Sequence, residues 1–113
     1  LSRIYKLLDR AEWAEALAVR RFEGSGIDRT DGFIHFSTAV QAAETARRHF
    51  AGRKDLVVLA VEADDLGPAL KWEPSRGGDL FPHLYAHLDA LLVREVTEAP
   101  LGPDGVPQVG PLA

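Results

Sequence analysis

The chain has 113 residues, 46% hydrophobic and 27% charged, with a formal net charge of -4 and no cysteine. That size predicts one domain with its own hydrophobic core, and the missing cysteines exclude disulfides, thiolate nucleophiles and cysteine-based zinc sites. The acidic balance argues against nucleic acid as a partner, no apolar run reaches the roughly 20 residues of a membrane span, and the first residues do not read as a secretion signal, so the expected protein is cytoplasmic and free of membrane.

Residues 3–8, "RIYKLL", predict a first strand. Asp9 with Glu12 predicts a capping box opening a helix to Arg20 or Arg21, with Trp13, Ala16, Leu17 and Arg20 at helical spacing and Trp13 in the core. The glycine-rich residues 23–32 read as a mobile surface loop. "FIHFS", residues 33–37, reads as a short buried strand. Thr38 and Gln41 then form a second capping box, opening a helix from Ala39 to Phe50 with Ala39, Ala42, Ala43, Ala46 and Phe50 inward, ended by Gly52.

Residues 56–63, "LVVLAVEA", are apolar on both faces and predict a central strand. A turn follows, then a strand over 70–74 with Leu70 and Trp72 opposite Lys71 and Glu73. A loop leads into an irregular strand over 80–88, where Pro82 implies a sheet edge or a bulge, and residues 90–98 predict the final strand. The pattern is α+β, with two helices in the N-terminal half; the domain is expected to cover 1–96, and the Pro/Gly-rich tail 97–113 to wrap the surface or lack order.

Strand periodicity places His35 and Ser37 on one face, and His83 with Tyr85 on another. A Val or Leu at position 35 would pack at lower cost, so the histidine marks a candidate pocket. If the two strands are neighbours, these four side chains line one cleft with Glu73, Arg76 and Gln41. The helix start at Thr38 adds backbone N–H groups suited to a phosphate or carboxylate, so the expected ligand is a small anionic or nucleotide-like molecule. The tentative catalytic pair is Glu73 with His83; the ligand-binding set is His35, Ser37, Thr38, Gln41, Arg76 and Tyr85. No spacing demands a metal. The cations Arg47, Arg48, His49, Arg53 and Lys54 read as the solvated end of a helix, and His49 and His87 are left outside the site.

"RIYKLL" with "EW", then "DGFIHFSTAVQ", then "KWEPSRGGDLFPHLYAHL" resemble the bacterial domain of unknown function 952 family over residues 3–96. The family is grouped with ADP-ribosyltransferase-like folds and has no established activity. The resemblance implies a compact split β-sheet with flanking helices and a cleft for NAD. It implies that His35 and Ser37 hold the adenosine-side ribose, that Tyr85 stacks on nicotinamide and that Glu73 supplies the carboxylate. Glu73 precedes the second histidine instead of lying on the last core strand, where Glu95 and Glu98 are the fallback carboxylates. Three main readings stay open, a binding module without catalysis, an ADP-ribosyltransferase-like enzyme using NAD, and a two-histidine phosphoesterase built on "HFST" and "HLYA", with a hydrolytic zinc site of His35, His83 and Glu73 as a fourth. Convergence of His35 and His83 across one cleft, with both rings free, would favour the phosphoesterase.

Overall fold

Strand β1 (Arg3–Asp9) alternates Ile4, Lys6 and Leu8 against Tyr5 and Leu7. It pairs antiparallel with β4 (Leu56–Glu62), from Arg3 opposite Glu62 to Asp9 opposite Leu56, and β4 pairs in turn with β8 (Val93–Glu98). The structure is a computed structural model; it describes residues 2–112, the Arg76 side chain excepted. β4 is central in this three-stranded sheet, as its uniformly apolar sequence predicts, and both of its faces are covered. One face packs Ile4, Leu8, Val57, Leu59 and Val61 against Trp13 and Ala16 of α1 (Arg10–Val19). The other packs Tyr5, Leu7, Val58 and Ala60 against Ala46 of α3 (Ala39–His49), with Val106, Val109 and Leu112 of the C-terminal segment beside them. Each such Leu or Ile, taken fully out of water, contributes about 1.5–3 kcal/mol.

A second antiparallel sheet has the order β3 (Ile34–His35), β6 (Asp79–Leu84), β5 (Leu70–Ser75). The two sheets meet where Tyr5 and Ser37 exchange backbone hydrogen bonds of 2.8 Å each. A short pair, β2 (Arg21–Phe22) with β7 (Leu88–Asp89), completes the strands, and 3₁₀ segments fill Ala63–Ala69, Arg76–Gly78 and Ala90–Leu92.

Several expectations change. Pro82 lies in a central strand, not an edge or bulge: it faces Trp72 on β5, and its carbonyl accepts from Phe36 on the other side. The proline is tolerated because β3 is only two residues long and pairs with His83 and Leu84, so no ladder donor is required of position 82. Of "FIHFS" only Ile34 and His35 are strand, and the final strand starts at Val93 after its 3₁₀ turn. The supposed loop 23–32 contains a third helix, α2 (Gly26–Asp31), whose Asp28 is buried. Asp9 and Glu12 form no capping box: Asp9 takes Arg53 at 2.7 Å and Glu12 accepts from Ser25 at 3.1 Å. Ala43 is exposed, not inward, and Leu17, at helical spacing with Trp13, is exposed as well. The second capping box forms as read, with Thr38 N–H donating to Gln41 at 3.0 Å and Gln41 N–H donating back at 3.3 Å. Among the described residues no helix is long and apolar enough to cross a membrane.

Candidate functional site

The register of β3 on β6 sets His35 directly opposite His83, with ring centroids 5.5 Å apart. Phe33 fills the space around them, stacked on His83 at 4.1 Å, tilted 4.5 Å from His35 and 5.1 Å from Tyr85. On β5, Glu73 reaches the same group: its Oε1 accepts from the Tyr85 hydroxyl at 2.7 Å and lies 2.8 Å from His83 Nδ1. Those bonds from Tyr85 and His83 hold the Glu73 carboxyl below its ordinary pKa, and the same contact pushes the Tyr85 phenol up, so the carboxylate accepts and the phenol donates.

His35 is bound differently. Its Nδ1 is 2.6 Å from Asp28 Oδ1 and its Nε2 is 2.9 Å from Asp31 Oδ2. An imidazole donates from both nitrogens only as the imidazolium, so this geometry is satisfied by a charged ring between two carboxylates. Asp28 also accepts from the Lys6 ammonium at 2.8 and 3.0 Å, from the His35 backbone N–H at 3.1 Å and from Ser25 N–H at 2.8 Å. Burial opposes ionisation of Asp28, but the His35 hydrogen bond and the Lys6 charge outweigh it and bring its pKa to about 2. Burial pulls the Lys6 amine below its usual value despite the opposing pull of Asp28. A buried carboxylate with two cations and two backbone donors forms a cross-link between β1, α2 and β3, and the donors offset much of the desolvation cost of the charges.

Both histidines line a cleft of about 700 Å³. Its lining includes apolar Tyr5, Leu7, Phe36 and Phe81, then Thr45, Arg48, His49 and Phe50 at the C-terminal end of α3 with Arg53 beyond it, and the carboxylates Asp9 and Glu12. A volume of this size falls within the range of small-molecule sites, which combine an apolar wall with a few polar groups.

Of the residues read from sequence, His35, Ser37 and His83 line the cleft, although Ser37 is buried with its hydroxyl 2.8 Å from that of Thr45. Glu73 and Tyr85 stand behind His83 and do not line it. Thr38 and Gln41 are spent on their mutual cap, with Gln41 also donating to the Leu80 carbonyl at 2.8 Å, so the start of α3 is not a wall of the cleft while its end is. The Arg76 side chain lies outside the described residues. Glu95 and Glu98 on β8 pair with Arg3 and Arg10, away from the cleft.

Sequence reasoning missed Lys6, Asp28, Asp31 and Phe33. Lys6 left a signal: it shares a strand face with Ile4 and Leu8, where a lysine needs a buried counter-charge. The cations at the end of α3, read as solvated, are partly so: Arg47 and Arg48 bind Glu44, and Arg53 binds Asp9 and covers the Phe50 ring at 4.8 Å, yet Arg48 and Arg53 also edge the cleft. Among the described residues no group of three His, Asp or Glu side chains is placed to hold a metal ion.

The fold and the cleft define a small α+β protein with a paired-histidine pocket where two antiparallel sheets meet. The sequence profile of a family described as a protein of unknown function, DUF952, matches residues 7–98, and the chain belongs to that family. The crystal structure of protein CC0527 from Caulobacter crescentus is 55% identical, superposes with a TM-score of 0.93, and covers 95% of this chain and 94% of its own. The solution NMR structure of the same protein gives 55% identity and a TM-score of 0.86 over 96% of this chain and 93% of that one. No curated protein matches the chain.

Proposed function

We propose that the cleft binds a small anionic ligand of nucleotide type. The observation that carries this reading is the composition of the cleft: apolar Tyr5, Leu7, Phe36 and Phe81 share about 700 Å³ with the guanidinium groups of Arg48 and Arg53, the latter paired with Asp9, which lines the cleft together with Glu12. A flat apolar base and a charged phosphate fit those two kinds of lining, and Arg is well suited to phosphate. The ligand is a free small molecule and not nucleic acid, in keeping with the net charge of -4, and the proposed location is the cytoplasm.

On this reading the fold is ADP-ribosyltransferase-like and NAD is the candidate dinucleotide; the split between two antiparallel sheets, with a histidine strand at their junction, supports it. The transferase alternative draws on Glu73, the carboxylate beside His83. The two-histidine phosphoesterase alternative meets only half of its condition. The rings converge, but both nitrogens of His35 are engaged by carboxylates, which leaves no second acid or base.

A thermal-shift screen against NAD, ADP-ribose and 2′,3′-cyclic nucleotides tests the proposal. A ligand at about 100 times its Kd adds about 2.7 kcal/mol, a rise of several degrees in Tm. Arg48 is half exposed and bonded only to Glu44 among the described residues, so Arg48→Ala is expected to keep the fold and lose the shift. No shift with any of these ligands overturns the reading.

A further inference from the structure

The two facing histidines are not equivalent. His35 spends both ring nitrogens on Asp28 and Asp31, whereas His83 spends Nδ1 on Glu73 and has no partner for Nε2 among the described residues. No fully buried side-chain nitrogen or oxygen among them lacks a partner, so Nε2 keeps some exposed surface although the His83 side chain is only 8% exposed, and His83 lines the cleft. Glu73 is a carboxylate that already accepts from Tyr85, so Nδ1 is the protonated nitrogen and the neutral ring carries its lone pair on Nε2. Phe33, stacked at 4.1 Å, fixes the ring plane.

We propose that His83 Nε2 is the proton acceptor of the cleft, acting on an O–H of water or of a hydroxyl on the bound anion, with Glu73 as its positioning residue and His35 as a structural cross-link. The inference rests on the cleft being the anion site. In the step, the O–H bond breaks, its electron pair stays on oxygen as the nucleophile, and the proton bonds to Nε2. The imidazolium so formed is held by the Glu73 carboxylate and later releases its proton to solvent. The activated oxygen is the chemistry that hydrolysis or group transfer at a phosphorylated ligand requires.

Two measurements on the intact chain test it. Diethyl pyrocarbonate acylates imidazole nitrogens that carry an accessible lone pair. Peptide mass spectrometry is expected to find His83 modified about tenfold or more faster than His35, both of whose ring nitrogens are engaged by carboxylates. ¹⁵N spectra of the ring are expected to show His83 as the Nδ1–H tautomer in the native chain, shifting toward Nε2–H in Glu73→Ala and recovering in part in Glu73→Gln, which keeps an acceptor oxygen. A purely structural Glu73 would leave the tautomer unmoved. Resistance of His83 while exposed His87 reacts, or an Nε2–H tautomer in the native chain, overturns the proposal. If both signatures hold but ADP-ribose gives no thermal shift, the anion-binding reading fails while the assignment of the His83 nitrogen stands.

Discussion

Replacing Asp28 with Asn keeps its shape and removes the charge that Lys6 and His35 face. Lys6 is only 5% exposed, so the loss leaves a buried cation without its counter-charge, and we expect a cost of about 3–5 kcal/mol in urea unfolding. Asp31→Ala removes the other carboxylate on His35 at an exposed position and is expected to cost less than about 1 kcal/mol. Similar losses for both variants would contradict the cross-link. The same carboxylate sets the acid limit of stability. Asp28 has a pKa of about 2 when folded against an ordinary 3.8, so between those values the unfolded chain holds the proton that the folded chain rejects. Its contribution is complete above about pH 4 and is lost as pH falls toward about 2, amounting to about 2 kcal/mol. Unfolding free energies across that interval check this, and Asp28→Asn should flatten the slope. Lys6 was missed although its place on an apolar strand face carried a signal; Asp28 carried none, because an Asp among glycines reads as a turn residue.

The helices fail or succeed in the sequence according to how much of their signal is local. For α3 the signal is local: a Thr-x-x-Gln box and small apolar residues at helical spacing mark its start and its buried face, and Thr38→Ala is expected to lower stability by about 1 kcal/mol. For α2 only the start is local, a Ser25-x-x-Asp28 box, because six residues hold no repeat of apolar positions and the inward residue is a carboxylate. Gly24 shows how tightly that segment is fitted. It sits at φ +109, and a Cβ there would lie 2.8 Å from the Asp28 Cβ. Gly24→Ala is therefore expected to cost about 1–3 kcal/mol and to disturb the His35 ring resonances, whereas an alanine at Gly26, where nothing lies within 4 Å, is expected to leave them in place. Equal effects at the two glycines would contradict this account of α2. Pro82 was misread for a related reason: a proline argues against a central strand only if its neighbour is long enough to demand a donor there.

At the scale of the molecule, the cleft is made by elements far apart in the chain: β1, the end of α3, and the β3/β6 pair. The His35 and His83 motifs were visible, and so was the strand periodicity that aims them. Which helix end faces them is a matter of packing that no local pattern records: Thr38 and Gln41 at the start of α3 lie off the cleft, while Arg48 and Arg53 at and beyond its end line it, paired with Glu44 and Asp9. The C-terminal segment belongs to the same packing. Pro107 is fully buried, and Val106, Val109 and Leu112 lie on the cluster that backs the sheet. Removing residues 102–113 is expected to lower stability by at least about 2 kcal/mol, read as a fall in Tm by calorimetry. An unchanged Tm would show that this segment adds nothing to the core.

The most direct measurement is an NMR titration of the uniformly ¹⁵N-labelled chain with ADP-ribose, with Arg48→Ala alongside. The account predicts saturable amide shifts at Tyr5, Thr45, Arg48, Phe50 and His83, and at least about tenfold weaker binding in the variant, equivalent to about 1.4 kcal/mol. Shifts that do not saturate, or that gather away from these residues, would contradict the assignment of this cleft as a nucleotide site.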